Sequence, residues 1–293
     1  MALIRTLLIK GLLRAFALLP LRVTHAFATL LGRFLARRAN WRSTRLTRGN
    51  LRACFPQSSA ADQEILLRHS LIETCKTFSE LGALWLWPPE RVLRLVRTVS
   101  GEDCLQQAFQ QGQGVILLTP HLGAWELAGL YASTHYPLTA LYRPPKLVGL
   151  NDWIRRARAR AGGRYVPTDQ SGVRALYHAL HHGQVVGILP DQVPSSAGVF
   201  APFFGVPAYT MVLVTRLAGK TGAPVIFTYA ERLPNAQGFH LHFLPALPGI
   251  AADNLEVAVS ALNQDVEMCV KRCPAQYQWS YNRFKRQPLS PSR

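Results

Sequence analysis

The sequence predicts an α/β fold, with a mostly parallel mixed sheet flanked by helices and preceded by a membrane-associating helical extension. From about residue 99, short apolar segments alternate with segments of helical composition, the pattern of strands joined by crossover helices. Only residues 234–238 separate the last two apolar segments, which predicts an antiparallel hairpin and makes the sheet mixed. The extension is predicted because no residue before Asp62 is acidic, whereas cations and bulky apolar residues are abundant there.

Residues 1–39 are predicted to form the membrane-associating segment. The net charge of the chain is +17, and eleven arginine and lysine residues precede Asp62, so this end is attracted to polyanions. The bulky apolar residues between the cations favour an anionic membrane surface over nucleic acid. Six of these residues form one stripe at helical spacing, namely Val23, Phe27, Leu30, Leu31, Phe34 and Leu35.

This segment is predicted to lie in the membrane interface. Charges at positions 5, 10, 14 and 22 leave no uncharged window of about 18 residues, so a spanning helix is not clearly encoded. The positive-inside rule assigns the cationic stretch from Arg33 to Arg52 to the cytoplasmic side.

Residues 40–293 are predicted to form the α/β domain. Residues 40–98 have helical composition, with Ser58 or Ser59 as a helix cap, and the apolar cluster 84–87 is either core or a lipid-contacting surface. Strands are then predicted at 114–119, 138–142, 164–166, 184–189, 223–230 and 238–244. Helices are predicted at 104–111, 125–132, 148–161, 171–182, 209–221 and 253–272.

His121 and Glu126 are the first candidates for catalysis. The apolar segment 114–119 predicts a buried strand, Pro120 discourages its continuation, and a helix is predicted from Trp125. Five residues apart on one helix, the two side chains would point about 140° away from each other. Across a strand-to-helix loop they can meet, and a histidine oriented by a carboxylate is suited to take a proton from a hydroxyl.

These residues also carry a family resemblance. The segment 119–126, Thr-Pro-His-Leu-Gly-Ala-Trp-Glu, resembles the His-x4-Asp/Glu signature of the glycerolipid acyltransferases, and looks most like the lauroyl/myristoyl branch of the lipid A late acyltransferases. Further blocks occur in the family's order, so the resemblance covers roughly residues 40–287. They are Tyr142–Pro144, Pro190–Gln192, Phe203–Gly205, Gly222–Val225 and Trp279–Lys285.

The resemblance implies a glycerolipid acyltransferase-like fold and an O-acyltransferase activity. It implies acyl carrier protein as the donor, a hydroxyl of a lipid A precursor as the acceptor, and the cytoplasmic face of an inner membrane as the location. His121 would be the general base and Glu126 would orient its imidazole. The sequence has no Gly-x-Ser-x-Gly elbow, which favours direct transfer over a covalent acyl-enzyme.

Candidate substrate-binding residues follow other predicted strands. Arg143 and Asp191 each come after an apolar strand, so both belong at the same sheet edge as His121. An arginine cluster on and after one helix could bind acceptor phosphates or an acidic carrier protein, or could be a solvated face; it comprises Arg155, Arg156, Arg158, Arg160 and Arg164. The resemblance adds Gly198, Phe203, Phe204 and Arg216.

Neither a metal site nor a cofactor is predicted. His178, His181 and His182 have a spacing that could suit a metal ion, but a solvated helix end explains them better. The five cysteines contain no Cys-x2-Cys pair, and the two glycines of 112–114 precede a strand and lack the third glycine of a dinucleotide fingerprint.

Two alternatives remain open at this stage. The enzyme could act on another lysophospholipid or glycolipid, or the chain could be a basic membrane-binding or nucleic-acid-binding protein without catalytic activity. The second alternative explains the positive charge, but it does not explain why His121, Arg143 and Asp191 all follow predicted strands.

Overall fold

A seven-stranded mixed sheet forms the centre of the protein, of which the computed structural model describes residues 1–195 and 197–287. The strands follow the order β1-β9-β8-β2-β5-β3-β4. β8, β2, β5, β3 and β4 run parallel, and β9 and β1 run in the opposite direction. The predicted α/β class with a mostly parallel mixed sheet and the terminal antiparallel hairpin are confirmed. The strands are β1 (Val96–Ser100), β2 (Val115–Leu118), β3 (Leu138–Tyr142), β4 (Arg164–Pro167), β5 (Val185–Ile188), β8 (Val225–Arg232) and β9 (Phe239–Pro245).

A separate two-stranded sheet corrects the predicted elements. Its strands, β6 (Gly198–Phe203) and β7 (Val206–Met211), pair antiparallel across Phe204 and Gly205, which both have positive φ angles. The helix predicted at 209–221 therefore begins only at residue 213, because residues 206–211 hydrogen-bond to β6. Likewise the helical stretch predicted at 40–98 ends in strand β1, which pairs with the distant β9.

Helices cover both faces of the sheet, and each face has its own apolar core. Ser59 caps α4 by accepting a hydrogen bond from the backbone N–H of Asp62. The helices are α1 (Ala2–Leu18), α2 (Leu21–Ala36), α3 (Arg42–Cys54), α4 (Ala60–Leu86), α5 (Pro89–Leu93), α6 (Glu102–Gln110), α7 (Trp125–His135), α8 (Val148–Ala159), α9 (Gln170–His181), α10 (Leu213–Thr221) and α11 (Leu255–Arg272).

Helix α4 connects the N-terminal helices to the sheet. Both α1 and α2 pack against it, and α2 comes so close that a Cβ on Gly32 would lie 2.4 Å from the Cα of Ile72. Further along α4, Glu80 accepts hydrogen bonds from the His25 ring at 2.5 Å and from Arg232 of β8 at 2.6 Å. Burial by itself raises the pKa of Glu80, but Arg232 and His25 outweigh burial and lower the pKa to about 2. The His25 ring thus links α2 to the domain through a buried hydrogen bond to Glu80.

The apolar stripe of α2 faces away from the rest of the protein. The residues that α2 buries are small or polar, apart from Leu21, and include Thr24, His25, Ala28 and Gly32. Leu35 is partly buried, but the other five stripe residues are 38–63% exposed. Helix α1 likewise exposes large apolar side chains. Among the residues that the structure describes, no helix is both long and apolar enough to cross a membrane. The exposed large apolar residues are Leu3, Ile4, Leu7, Leu8, Leu12 and Leu18 of α1 and Val23, Phe27, Leu30, Leu31 and Phe34 of α2.

The tryptophan cluster at the end of α4 belongs to the core. Leu84, Trp85 and Trp87 are each less than 10% exposed, and the indole N–H of Trp87 donates to the carbonyl of Ala17 at 2.7 Å. Of the two alternatives for this cluster, core packing is therefore correct.

Candidate active site

The candidate active site lies at the carboxyl edge of three adjacent parallel strands. β5 lies between β2 and β3 and pairs with both. His121 follows β2, Arg143 follows β3 and Asp191 follows β5. Because parallel strands end at the same edge of a sheet, these three residues are brought to one crevice.

Asp191 is the carboxylate that holds the imidazole of His121. Its Oδ1 lies 2.8 Å from Nδ1 of the ring, and its Oδ2 accepts the backbone N–H of His121 at 3.0 Å. The Asp191 side chain is only 3% exposed. Burial raises its pKa, but the charge and the hydrogen bonds of His121 lower it below the ordinary value of an aspartate. An ionised Asp191 keeps the ring proton on Nδ1 and leaves Nε2 free to accept a proton.

Backbone hydrogen bonds and one close contact hold the loop that carries His121 against neighbouring segments. Gly123 has a φ of +60°, and a Cβ there would lie 2.1 Å from the carbonyl oxygen of Ala230 in β8. That same carbonyl accepts the N–H of Ala124 at 2.8 Å, and the carbonyl of His121 accepts the N–H of Gln278 at 3.0 Å. A side chain at position 123 would push the loop off β8, so glycine is needed to set the position of His121.

Glu126 forms a second, separate charge pair. Its carboxylate accepts hydrogen bonds from two nitrogens of Arg158, one of them Nε at 3.0 Å, and from the indole N–H of Trp85 at 3.0 Å. Burial raises the pKa of Glu126, but Arg158 and Trp85 lower it below its usual range. The prediction that Glu126 orients the His121 ring is wrong, because Asp191 makes that contact and Glu126 makes its contacts with α4 and α8.

The second ring nitrogen of His121 has a neighbour of its own. The amide nitrogen of Gln192 lies 3.1 Å from Nε2, and the same amide donates to Oε1 of Gln278 at 3.2 Å. Trp125 packs against the imidazole, with ring centroids 5.1 Å apart. A hydroxyl that approaches Nε2 must therefore take the place of the Gln192 amide.

A cavity of about 350 Å³ adjoins His121. One part of its wall is formed by α7 and neighbouring strands and is small or apolar: Gly129, Ala132, Leu138, Ala140 and Gly187, with Tyr165 beside them. Another part is formed by residues close to α9 and α10: Leu141, Val173, Ile188, Leu189, Met211 and Leu213. Polar groups of the wall include Glu126, Arg143, Arg158, Thr168 and Gln192.

Comparison with known proteins places the chain in one family. The model of the bacterial lipid A biosynthesis acyltransferases matches residues 2–286. The chain belongs to this family. It is 30% identical to the lipid A biosynthesis palmitoleoyltransferase of Escherichia coli strain K12 over 284 residues, 96% of this chain and 91% of that protein. It is 29% identical to the lipid A biosynthesis lauroyltransferase of the same strain over 287 residues, 97% of this chain and 92% of that protein.

A more distant relative is named for a different acceptor. The chain is 27% identical to the phosphatidylinositol mannoside acyltransferase of Mycobacterium tuberculosis strain H37Rv over 164 residues, 55% of this chain and 51% of that protein. The chain is thus an acyltransferase of the lipid A family, and the alternative of a basic binding protein without catalytic activity is set aside.

The residues that the sequence singled out separate into three groups in this acyltransferase. Four line the cavity, namely His121, Glu126, Arg143 and Arg158, and Asp191 lies behind His121. Arg155, Arg156, Arg164 and Arg216 are exposed, and Arg155 pairs with Asp152 at 3.3 Å. None of these four exposed arginines belongs to the described lining of the cavity.

Three predicted substrate-binding residues have structural roles instead. Arg160 donates to the carbonyls of Leu84 at 2.6 Å and Trp87 at 3.3 Å, so it satisfies the carboxyl end of α4. Phe203 is 1% exposed, and Phe204 packs with it in an aromatic cluster that includes Trp279. These corrections arise because a local sequence pattern does not show which side chains contact distant parts of the chain. Gly198 begins β6, where a Cβ would lie 2.6 Å from the carbonyl oxygen of Thr210.

Several site residues were missed by reasoning from the sequence. Gln192 follows Asp191 directly, so its place after a strand was a usable signal. Gly129 lies three residues after Glu126, on the same helical face, which also could have been noticed. Trp85 gave no such signal, because α4 is packed against this site only in the folded protein.

Proposed function

We propose that the protein transfers a fatty acyl chain from acyl carrier protein to a hydroxyl of a lipid A precursor, at the cytoplasmic face of the inner membrane. The observation that carries the proposal is the Asp191–His121 pair, which engages Nδ1 and leaves Nε2 to accept a proton beside a largely apolar cavity. Family membership supports the lipid A acceptor.

The proposed step is a direct transfer with His121 as general base. Nε2 removes the proton of the acceptor hydroxyl, and the oxygen attacks the thioester carbonyl carbon of the donor. As the tetrahedral intermediate collapses, the carbon–sulfur bond breaks and the imidazolium returns its proton to the sulfur. Asp191 stabilises the imidazolium throughout, as the aspartate does in the serine-protease triad. The Gln192 amide, once displaced, can donate to the negative oxygen of the intermediate.

The acyl chain is proposed to enter the part of the cavity beneath α7. Gly129 leaves space there: among the described residues, and apart from its chain neighbours and the backbone of its own helix, only Tyr165 Oη, 3.7 Å away, lies within 4 Å of a Cβ at this position. The small and apolar residues Ala132, Leu138 and Ala140 continue this wall. Burial of methylene groups against such a surface contributes about 0.8 kcal/mol each.

The charged groups are proposed to divide between acceptor and donor. Arg143 is exposed and lines the cavity, so it can bind a phosphate of the acceptor. Arg158 is already paired with Glu126, so this pair is proposed to shape the cavity wall. Exposed Arg155, Arg156 and Arg164 form a basic surface suited to an acidic carrier protein.

Residues 1–39 are proposed to hold the enzyme at the membrane interface. Helix α2 buries mainly small and polar residues and exposes its apolar stripe, the reverse of a helix whose only partner is a protein core. The neighbouring cations add attraction to anionic lipid of about 1 kcal/mol each. The proposed division of the chain into 1–39 and 40–293 rests on this difference; residues 288–293 lie outside the described residues.

A purified-enzyme assay tests the donor and the acceptor separately. Acyl carrier protein and coenzyme A thioesters of several chain lengths would be offered with lipid A precursors or with mannosylated phosphatidylinositol, and products read by mass spectrometry. We expect a carrier-protein donor and a lipid A precursor to give the highest kcat/KM. Preference for the mannosylated lipid would support the alternative acceptor class, and preference for coenzyme A would contradict the donor.

The basic surface has its own arm in this assay. Charge reversal of Arg155 and Arg156 to Glu should lower kcat/KM for the carrier-protein donor and reduce its salt dependence. Reversal of Arg68, an exposed arginine on α4, is the matched control. An unchanged salt dependence in the Arg155/Arg156 variant would indicate that these arginines form a solvated face that does not bind the carrier protein.

A further inference from the structure

Three side chains of metal-ligating type gather on one face of the β8–β9 hairpin, outside the lining of the catalytic cavity. Glu231 of β8 lies directly opposite His240 of β9, and His242 lies two residues further along β9. Residues two apart on a strand share a face, so the backbone directs all three side chains to the same side of the sheet.

The potential ligand atoms of the three residues are already close together. Each side chain offers one atom, and these atoms all lie within 4.8 Å of one another. Nε2 of His242 is 3.0 Å from Oε2 of Glu231, and the two imidazole centroids are 3.8 Å apart. In a tetrahedral zinc site with bonds of about 2.0–2.2 Å, neighbouring ligand atoms lie about 3.3 Å apart. The His242–Glu231 spacing is near this value, and a rotation of His240 would complete the set.

We propose that Glu231, His240 and His242 bind one divalent transition-metal ion, with Zn²⁺ the best match. Two imidazoles and one carboxylate form a recognised zinc ligand set, and solvent can supply the fourth position because Glu231 and His240 are partly exposed. His240 exchanges its 2.8 Å hydrogen bond with Ser100 for the metal. β9 is an interior strand between β1 and β8, so little backbone ordering is needed when the ion binds.

The other histidine cluster of the chain lacks these properties. His178, His181 and His182 are exposed at the end of α9, and Nδ1 of His182 is 2.8 Å from the carbonyl oxygen of His178. This cluster therefore provides a matched control of similar composition.

The role assigned to the ion is structural. Glu231 directly follows Ala230, whose carbonyl accepts the N–H of Ala124 in the loop that carries His121. A metal that links β8 to β9 at this point stabilises the strand on which that loop rests. The inference does not depend on which acceptor or donor the enzyme uses.

One nearby charge opposes cation binding and offers a test in the opposite direction. Burial lowers the pKa of His242, and the positive charge of Arg272, at the end of α11, lowers it too. Replacing Arg272 with Gln should therefore tighten metal binding, whereas removal of a ligand weakens it.

The experiment titrates the full-length protein, without an affinity tag, with Zn²⁺ by calorimetry and with Co²⁺ by visible absorption, and records Tm. The wild type should bind one ion, give the absorption of tetrahedral Co²⁺, and show a higher Tm with Zn²⁺. His240→Ala and Glu231→Gln should weaken binding by about 100-fold or more. Arg272→Gln should strengthen it, and the control His178→Ala/His182→Ala should leave it unchanged.

The proposal would be overturned by no binding in the wild type, by equal binding in the wild type and His240→Ala, or by loss of binding in the α9 control. The Arg272→Gln variant keeps the proposal testable if His240→Ala folds poorly, since Arg272 is exposed. Unchanged affinity in that variant, together with unchanged affinity in Glu231→Gln, would exclude this face as the site.

Discussion

Asp191 and His121 are 70 residues apart in the chain, yet the carboxylate contacts both the ring Nδ1 and the backbone N–H of the histidine. One side chain therefore sets the ring orientation and the loop position together. Glu126, within the motif itself, is engaged instead with Arg158 and Trp85. The two acidic residues consequently have different roles, which substitution can separate.

Asp191→Asn should reduce kcat by about 10²–10⁴-fold, similar to His121→Ala, because an amide cannot stabilise the imidazolium. The measurement is steady-state turnover with saturating donor and acceptor. Asp169→Asn is the matched control, since Asp169 is an exposed helix cap on α9 that an asparagine can replace. Normal turnover in a folded Asp191→Asn variant would remove this residue from the mechanism.

Glu126→Gln should impair both stability and turnover, because it leaves the Arg158 guanidinium largely buried with a weaker partner. Arg158→Met should have a similar effect, and the double variant should lose less than the sum of the two. We expect a coupling energy of about 1–3 kcal/mol in a double-mutant cycle on thermal unfolding. Strictly additive losses would mean that the pair does not act as a unit.

Gly129→Leu should shift the enzyme toward shorter acyl donors. The new side chain would occupy cavity space without an immediate backbone clash, so the longest donor should lose about 10–100-fold in kcat/KM relative to a short one. The readout is a competition among acyl chain lengths followed by mass spectrometry. Gly49→Leu on α3, also in open space, is the control. Equal losses for all chain lengths would place the acyl chain elsewhere.

Phe27→Glu combined with Leu31→Glu should weaken binding to vesicles that contain phosphatidylglycerol by at least about tenfold, because apolar area is lost and anionic charge is added. Flotation of the protein with vesicles measures this. The control pair is Ile65→Glu with Val257→Glu, two exposed apolar residues on α4 and α11. We expect the wild type to stay partly bound in high salt and to require detergent for release. Complete release by salt alone would contradict insertion of the stripe.

Asp265→Asn should stabilise the protein at neutral pH. Burial raises the pKa of Asp265 from 3.8 to about 6, so the folded chain holds this proton more tightly than the unfolded chain. Its contribution to the free energy of unfolding therefore decreases as pH rises from 3.8 to about 6. The asparagine oxygen can still accept the N–H of Leu247, which Asp265 accepts at 3.0 Å. We expect a gain of about 1–3 kcal/mol above pH 7 and none near pH 4, measured as Tm at both pH values. A Tm gain independent of pH would exclude the proton as its cause.

Much of the fold followed from the sequence. Alternating apolar and helical segments are local properties, so the order of β2 to β5 and of their helices was correct, as was the β8–β9 hairpin. The strands that were missed, β1 and the β6–β7 pair, obtain their partners from other parts of the chain or from a turn whose φ angles are not visible in composition.

For the position of His121 and for the outward face of α2, the sequence determined one part and the tertiary structure decided the other. By itself, the sequence determined that His121, Arg143 and Asp191 each follow a strand and that α2 has one apolar stripe, because these are periodic patterns of neighbouring residues. Only the tertiary structure decided which carboxylate reaches the imidazole and on which side the stripe lies. Pairing between residues 70 apart depends on strand order. The face that a helix buries depends on its neighbours, and here the close contact of Gly32 with α4 turns Phe27 and Leu31 outward.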